Sequence, residues 1–460
     1  MKKTKIFYSV ISALCLLGLM ATACAPAATP APTSAPAATT APAAPAATAT
    51  VAPTATAAPV TLTYLVDNSQ NTVATTTALV NAYMKLHPNV TITIEQRPQG
   101  GDGDNVVKTR LATGTMDDLF YYNSGSLLQA LNPSTTLVDI SKEPYMANVV
   151  DSFLPTVSQN GEVFGVPTGT ALGGGILYNK KVFAQLGLSV PKTWADFEAN
   201  NDKIKAAGIT PVVATYGPNS TWTSQLFVLA DFYNVVQADP TFAADYTANK
   251  AKYATTPAAM AGFNYLAEGY QKGWYEKDFT TTELEPGLKL LADGKAAQYP
   301  QLSFVLATIA ADSPTEVNDI GFFAQPGTDA SKNGATIWMP AGTYIPKTSK
   351  NIAAAEDFQA FIASSAGVDA INAQVPPQGP YLIKGTTLPA TVLPAVNDIN
   401  AYIQSGNSEP ALEFLSPVKG PSLEQICIAA GTGQMTGAQA AAAYDQDVEK
   451  EAKQLNLPGW

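Results

Sequence analysis

The stretch VTLTYLVDNSQNTVATTTALVNAYMKLHPNVTITIE, residues 60–95, changes its hydrophobic period twice. Alternating apolar residues from Val60 to Val66 predict a β-strand, whereas apolar residues three or four apart from Val73 to His87 predict a helix. Pro88 and Asn89 end that helix, and alternation resumes at Val90. A strand–helix–strand unit pairs its two strands in parallel through a right-handed crossover, which predicts an α/β fold.

The same pattern continues towards the carboxyl terminus. A short helix is predicted from Val106 to Thr113, and DDLFYYN, residues 117–123, reads as a third strand. The glycine-rich QGGDGDN before it is interpreted as a flexible turn, because its spacing does not fit an EF-hand calcium loop. Ligands of such sheets bind beyond the carboxyl ends of the strands, here at residues 67–70 and 122–124.

A second α/β unit follows the first. GILYNKK, residues 175–181, predicts a strand, and PKTWADFEANNDKIKAAG predicts a helix with Thr193 as its N-cap and Asp196 three residues later. ITPVVATYG and DIGFFAQPG predict further strands. In AAAEDFQAFIASSAGVDAIN the apolar residues recur at helical spacing, which predicts a helix. With 460 residues, the chain has room for two substantial domains.

The amino terminus carries a different signal. Lys2, Lys3 and Lys5 precede an apolar run from Ile6 to Met20, which is typical of a secretion signal. Small residues before Cys24 resemble a bacterial lipoprotein signal, so residues 1–23 are predicted to be removed and Cys24 to be lipidated. An ordinary signal peptide with a chance cysteine is the alternative.

Residues 24–59 are predicted to be a linker. After Cys24 this stretch consists almost entirely of Ala, Pro and Thr, and its frequent prolines favour an extended spacer. The expected location is therefore the extracellular face of the cell membrane or the periplasm, with a lipid anchor.

The composition excludes several functions. The net charge is −11, which argues against a nucleic-acid partner. His87 is the one histidine, and no Gly-x-Ser-x-Gly elbow or Cys/His cluster is present, so neither a catalytic triad nor a zinc site is expected. No metal, no cofactor and no enzymatic activity are predicted, and the protein is expected to be a monomer.

Several stretches together resemble the extracellular solute-binding proteins of ABC importers, in the sugar-binding family that includes maltose-binding protein. The most specific series is GVP…LYNK…G…PKTW; the others are YMKLHPNVTITIE, TRLATGTMDDLFYYNSG, LADGKAAQYPQLSF and GTYIPKTSKNIAAAEDFQAFI. The chain departs from the family at Asp117, where proline is usual, and in the turn after GKAA.

The resemblance implies a two-lobed periplasmic-binding-protein-like fold, with a mainly parallel sheet in each lobe and a hinge that the chain crosses several times. Lobe 1 is expected to comprise residues 60–154 and 333–385, and lobe 2 residues 155–332 and 386–460. A sugar or oligosaccharide would be captured in the cleft by hinge closure and delivered to the permease subunits of an ABC transporter.

Sugar recognition needs flat aromatic rings and polar side chains, which selects the candidate residues. Tyr122 falls where the family carries a ligand-stacking aromatic residue; a core tyrosine is the alternative. The other candidates follow predicted strands or match family turns, with simple packing or a plain turn as their alternative: Asn68, Ser69, Asn123, Thr168, Thr170, Tyr216, Trp222, Gln301, Phe304 and Trp338. Trp194 and Trp274 are interpreted as structural.

Other functions remain open at this point. The ligand could be a polyol, a peptide or a cationic molecule. A surface glycosidase needs only two carboxylates, for which Glu283 and Glu285 are candidates, and a surface adhesin would bind no small molecule.

Overall fold

Residues 58–460 are described by a computed structural model and all belong to one unit, Thr56–Trp460. The predicted signal peptide, the lipidation site Cys24 and all but the last two residues of the predicted linker lie outside the described residues. In the part of the chain that is described, no helix is both long and apolar enough to cross a membrane.

The strands of residues 58–460 are, in chain order, β1 (Val60–Asp67), β2 (Val90–Arg97), β3 (Leu119–Tyr122), β4 (Ser158–Gln159), β5 (Glu162–Val163), β6 (Gly165–Pro167), β7 (Leu172–Asn179), β8 (Thr210–Val212), β9 (Ala296–Leu302), β10 (Ile320–Phe323), β11 (Ala335–Trp338), β12 (Gly342–Tyr344) and β13 (Ser408–Pro410).

The α-helices of the same residues are α1 (Gln70–Leu86), α2 (Gly100–Thr113), α3 (Ser126–Gln129), α4 (Pro133–Thr136), α5 (Lys180–Leu186), α6 (Trp194–Ala206), α7 (Leu226–Leu229), α8 (Phe232–Ala238), α9 (Phe242–Thr247), α10 (Pro257–Lys272), α11 (Leu284–Ala292), α12 (Leu306–Asp312), α13 (Ile352–Ile362), α14 (Ser365–Asn372), α15 (Pro394–Gln404), α16 (Leu412–Leu415), α17 (Leu423–Gly431) and α18 (Gly437–Gln454). Short 3₁₀ turns span Pro144–Asn148, Leu154–Val157, Thr221–Gln225, Tyr253–Thr255, Ser303–Val305, Glu316–Asp319 and Ala330–Lys332.

Two larger sheets define two lobes. The first lobe contains a five-stranded sheet in the order β2-β1-β3-β12-β6, and the second lobe a six-stranded sheet in the order β13-β11-β7-β9-β8, with β10 paired to β7. The predicted two-lobed α/β class is confirmed. Both sheets are mixed rather than mainly parallel: β1 pairs in parallel with β2 and β3, but β12 is antiparallel to its neighbours, and β7 is antiparallel to all of its own.

The chain passes between the sheets three times. The crossings lie between β6 and β7, between β11 and β12, and between α14 and α15. Backbone hydrogen bonds tie them together, from Thr168 N to Ala341 O at 3.0 Å and from Ala171 N to Pro380 O at 2.8 Å. We call these three crossings the hinge segments.

Strand membership differs from the expected lobe boundaries at two places. Gly165–Pro167 belongs to the first sheet although it lies after the expected boundary at 154/155, because it pairs with β12. Ala335–Trp338 belongs to the second sheet although it lies after the boundary at 332/333, because it pairs with β7 and β13. The short spans of these strands carry no sequence signal for the sheet they join.

Local predictions were accurate where capping and periodicity coincide. Thr193 and Asp196 form a reciprocal capping box at the start of α6. The helix predicted in residues 353–372 is broken in two, since Ser364 caps the start of α14. The interpretation of QGGDGDN as a flexible turn was wrong: α2 already begins at Gly100.

Both lobes have aromatic-rich cores. In the second lobe Trp194 stacks on Tyr265 with ring centroids 3.5 Å apart, and Trp274 is completely buried. Both tryptophans therefore have the structural position expected of them. In the first lobe Phe358 of α13 packs edge-on against Tyr64 of β1 and Tyr83 of α1.

Candidate functional site

A cavity of about 540 Å³ lies between the lobes. It is bordered by the carboxyl ends of β1 and β3, by the hinge segments and by loops of the second lobe. Its volume falls within the range of roughly 300–1,000 Å³ that is usual for small-molecule sites. The position agrees with the expectation that ligands bind beyond the carboxyl ends of the strands.

The first-lobe wall of the cavity is polar and is held by local hydrogen bonds. Ser69 caps α1, and its hydroxyl accepts a hydrogen bond from the backbone N–H of Thr72 at 3.3 Å. Arg97, at the end of β2, donates from Nη1 to the carbonyl of Pro98 at 3.0 Å and from Nη2 to the carbonyl of Tyr121 at 3.4 Å. Arg97 therefore fixes the loop after β2 against the end of β3.

The second-lobe wall presents aromatic rings. The centroids of Trp222 and Phe304 are 5.7 Å apart with their planes inclined by 35°. Trp338 is 5% exposed and packs on Leu172, and its indole Nε1 donates to Glu413 Oε1 at 2.7 Å. Rings positioned in this way can cover the C–H face of a sugar or another flat apolar surface.

The two walls touch at the rim of the cavity. Indole Nε1 of Trp222, in the second lobe, donates to Gln99 Oε1 in the first lobe at 3.1 Å. On another side Gly125, with φ at 72°, lies so close to α16 that a Cβ atom there would be 2.4 Å from the carbonyl oxygen of Glu413. The lobes are therefore in contact beyond the hinge segments, as in a closed cleft.

Two buried hydroxyl groups on the cavity lining have no hydrogen-bond partner among the described residues. Ser126 is 2% exposed and Thr170 is 4% exposed. Because an unpaired buried hydroxyl is costly, these groups are suited to bind hydroxyl groups of a ligand.

One arm of the cavity, between α2 and the region of α16 to α18, carries charged side chains from both lobes. They are Arg97, Asp102, Asp104, Lys108, Glu413, Lys419, Glu424 and Glu451. Burial raises the pKa of Asp104, and Arg97, Lys108 and Lys419 oppose that rise. Burial likewise raises the pKa values of Glu424 and Glu451. Lys419 Nζ lies 3.4 Å from Glu413 Oε2.

The cavity brings together most of the residues selected from the sequence. Those that line it are Ser69, Asn123, Thr168, Thr170, Trp222, Phe304 and Trp338. The hydroxyl of Thr168 also bonds to that of Thr343 at 2.7 Å, which ties this position to the core of the first lobe. Whether any of these residues contacts a ligand stays a prediction.

Four selected residues lie elsewhere. Tyr122 is completely buried, because the alternation of β3 directs it with Phe120 into the core and leaves Tyr121 on the cavity. Tyr216 is buried against Tyr275 and Phe279, which belong to the segment after α10, and it is not part of the cavity lining.

Gln301 is also completely buried, because it lies within β9 in the middle of the second sheet. Asn68 is exposed outside the lining, where its Oδ1 accepts a hydrogen bond from Gln99 Nε2 at 3.4 Å. Asn68 thus supports Gln99, which does line the cavity.

Sequence reasoning missed several lining residues. Arg97 ends β2, Gln99 follows that strand and Tyr121 is the penultimate residue of β3, so a rule that selects every residue at or just after a strand end would have found them. Glu413, Phe414, Lys419, Glu424 and Glu451 come from the last 50 residues, and no local pattern marks them as part of a site.

A metal site, and a glycosidase site at Glu283 and Glu285, both lack the necessary arrangement of side chains within residues 58–460. No group of three or more His, Cys, Asp or Glu side chains there could hold a metal ion. Glu283 and Glu285 are outside the cavity lining, and Glu283 Oε2 instead accepts a hydrogen bond from Ser220 Oγ at 2.7 Å.

Known proteins resemble this chain in sequence. The family model described as bacterial extracellular solute-binding protein matches residues 67–369. The multiple sugar-binding protein of Streptococcus mutans is 26% identical over 309 residues, which is 64% of this chain and 68% of that protein.

Solved structures share the fold. A chitin oligosaccharide binding protein superimposes with a TM-score of 0.73 and 22% identity, covering 86% of this chain and 99% of the other. RafE in complex with raffinose gives a TM-score of 0.68 and 20% identity, with 86% and 99% covered. The family model and these relatives are described as binding proteins and not as enzymes.

Proposed function

Because the chain belongs to the bacterial extracellular solute-binding protein family, we propose that it captures a sugar or oligosaccharide in the interlobe cavity and delivers it to an ABC permease. The observation that carries this proposal is the pairing of an aromatic wall, Trp222 and Phe304, with a polar wall across one cavity. A pyranose has the matching chemistry, with apolar C–H faces and a belt of hydroxyl groups.

The ligand class is supported by the relatives and by the cavity. The similar proteins are named for multiple sugars, chitin oligosaccharides and raffinose, which agree on a saccharide and differ in its identity. The unpaired hydroxyls of Ser126 and Thr170 can each exchange one hydrogen bond with a sugar hydroxyl, contributing about 0.5–1.5 kcal/mol.

Delivery requires a cleft that opens and closes. In this proposal the first lobe comprises the described chain from residue 58 to β6 together with β12 to α14, and the rest of residues 58–460 forms the second lobe. Hinge closure then reports an occupied cleft to the permease. Lipidation of Cys24 and the linker of residues 24–59 would hold a monomer of this binder at the cell surface.

A thermal-shift screen tests the ligand class, since a ligand that binds only the folded protein raises the melting temperature. The panel contains raffinose, stachyose and chitotriose, together with a polyol, a peptide and spermidine. Titration calorimetry then measures the affinity of each hit, and chromatography of the recovered saccharide tests for cleavage. Saturable binding of an unchanged saccharide supports the proposal, and cleavage or the absence of saccharide binding contradicts it.

A cationic solute is the second candidate function. The cavity lining carries more carboxylates than cationic groups, which favours a positively charged ligand. Binding of spermidine without binding of any saccharide would favour this candidate.

A further inference from the structure

Helix α2 begins at the cleft without a side-chain cap of its own. Gln99 occupies its N-cap position but makes no capping hydrogen bond; its side chain bonds to Trp222 and Asn68 instead. The first-turn N–H groups of an α-helix have no intrahelical acceptor, and the helix dipole adds positive potential there. The 14 residues of α2 therefore present a positive end to the second lobe.

A carboxylate of the second lobe faces this end. Glu424 lies in the first turn of α17, and a Cβ atom placed on Gly100 would be 3.3 Å from its Oε2 and 3.4 Å from its Oε1. The second lobe holds the carboxylate in place, since Thr221 Oγ1 donates to Oε2 at 2.7 Å and Gln225 Nε2 lies 3.5 Å from Oε1.

The surrounding charges leave the carboxylate without an ion pair. Burial raises the pKa of Glu424 and Asp104 adds to the rise, whereas the Thr221 hydroxyl, Lys419 and the backbone N–H of Gly101 lower it. The same arm contains Arg97, Asp102, Lys108, Glu413 and Glu451. No salt bridge to Glu424 forms within residues 58–460, so the helix end is its positive neighbour across the cleft.

We propose that Glu424 is a positioning residue that stabilises the closed cleft by placing its carboxylate at the amino terminus of α2. The inference rests on the proposed function in one respect, namely that closure accompanies ligand binding. An interaction present only in the closed state raises the closed population, and the apparent Kd falls in proportion. Glu424 acts through α2 and needs no contact with the ligand.

Four variants of the full chain test the contact from both sides. Glu424→Gln removes the charge at nearly constant shape, and Glu424→Asp restores it. Gly101→Pro removes the N–H donor at a position in the first helical turn where proline is tolerated. Gly101→Ala is the matched control, because its Cβ meets nothing within 4 Å and the N–H remains.

Two readouts are combined. Hydrogen–deuterium exchange of residues 99–104, measured in the ligand-free and in the saccharide-saturated protein, reports on the helix end, and titration with raffinose, stachyose and chitotriose reports on closure. We expect Glu424→Gln to accelerate exchange and to weaken each saccharide that binds by about three- to tenfold, the range for a partly buried charge at a helix end. Glu424→Asp should recover part of the affinity. Gly101→Pro should weaken binding, but the double variant with Glu424→Gln should bind no more weakly than Glu424→Gln alone. Gly101→Ala should match wild type.

The pH profile separates a charge effect from a structural one. Protonation removes the negative charge, so wild-type affinity should fall as pH decreases towards the raised pKa of Glu424, and Glu424→Gln should lack that component. Weaker binding with unchanged exchange in Glu424→Gln would mean direct ligand contact and would overturn the proposal, as would wild-type behaviour in both readouts. If wild type binds no saccharide, the proposed function fails, and the exchange comparison still decides whether Glu424 stabilises this helix end.

Discussion

The two walls of the cleft are built in different ways. The first-lobe wall comes from strand ends that are neighbours in one sheet, such as Asp67 and Tyr121, and its polar groups are fixed by caps and backbone carbonyls. The second-lobe wall combines Trp222, Phe304 and Glu424, which are far apart in sequence and meet only in the folded lobe. The first wall follows from local sequence, and the second depends on tertiary packing.

The largest expected effect is on the aromatic wall. Trp222→Ala removes a ring from the cavity and the donor to Gln99, so we expect affinity for a bound saccharide to fall at least about 30-fold, as for an interface residue worth 2 kcal/mol. Titration calorimetry checks this. Tyr270→Ala, which removes an aromatic ring that is 44% exposed and outside the cavity lining, should leave affinity unchanged. Equal effects of the two substitutions on affinity would contradict a binding role for the Trp222 ring.

The next effect concerns the contact between the walls. Gly125→Ala places a methyl group against the carbonyl of Glu413, so it should hold the lobes apart and weaken binding by about tenfold or more. Gly161→Ala is a control for a positive φ without a steric contact, since its φ is 83° and its Cβ meets nothing within 4 Å. Titration and denaturant unfolding should show a loss of stability in both variants and a loss of affinity in Gly125→Ala alone. Unimpaired binding in Gly125→Ala would contradict a closed cleft of this geometry.

A third prediction concerns how the free energy of unfolding depends on pH through a buried carboxyl group of the second lobe. Burial raises the pKa of Asp231 in the second lobe to about 8, and its Oδ2 has no hydrogen-bond partner among the described residues. The native state then binds more protons than the unfolded state between about pH 4 and pH 8, so the free energy of unfolding falls as pH rises through that window. We expect Asp231→Asn to reduce this loss: with a native pKa of about 8, wild type should lose up to about 1.4 kcal/mol more than the variant for each pH unit between pH 5 and pH 8.

Denaturant unfolding of both proteins at pH 5 and pH 8 measures the difference for Asp231→Asn. Glu276, whose pKa burial raises to about 7, leaves a residual slope of the same sign in the variant. Parallel pH dependences of wild type and variant would show that Asp231 does not titrate in this window.

The smallest effect tests the register of the first-lobe wall. Tyr121 lines the cavity and Tyr122 faces the core, so Tyr121→Ala should weaken saccharide binding by about two- to tenfold, the value of a hydrogen bond or a partial ring contact. Tyr122→Phe should leave affinity unchanged, because the Tyr122 hydroxyl is buried, lies outside the cavity lining and has no hydrogen-bond partner among residues 58–460. The reverse result in titrations would restore Tyr122 as the ligand-facing residue.

Sequence reasoning recovered the parts of the fold that local patterns encode. The period changes in residues 60–95 defined β1, α1 and β2, and the capping pair Thr193 and Asp196 defined the start of α6. The sheets that β6 and β11 join differ from those implied by the predicted lobe boundaries, because strands of three or four residues take their sheet from distant partners.

On the first-lobe wall, the prediction of site residues depended on which residues of β3 face the cavity and which face the core. A shift of one residue exchanges Tyr121 and Tyr122 between cavity and core, and two adjacent tyrosines give no signal for the choice. On the second wall, Trp222 was selected in the loop after a predicted strand, Phe304 in the turn after GKAA and Trp338 before a predicted hinge, and all three line the cavity. The acidic and basic residues after Leu412 were missed because only the packing of α16, α17 and α18 against the cleft selects them.

A crystal structure of the protein with the saccharide that gives the largest thermal shift tests the proposed binding cleft most directly. One saccharide is expected between the lobes, with a ring against Trp222 or Phe304 and hydroxyl groups within hydrogen-bonding distance of the first-lobe wall. Density for the saccharide outside this cavity, with the cleft filled by solvent alone, would contradict this expectation.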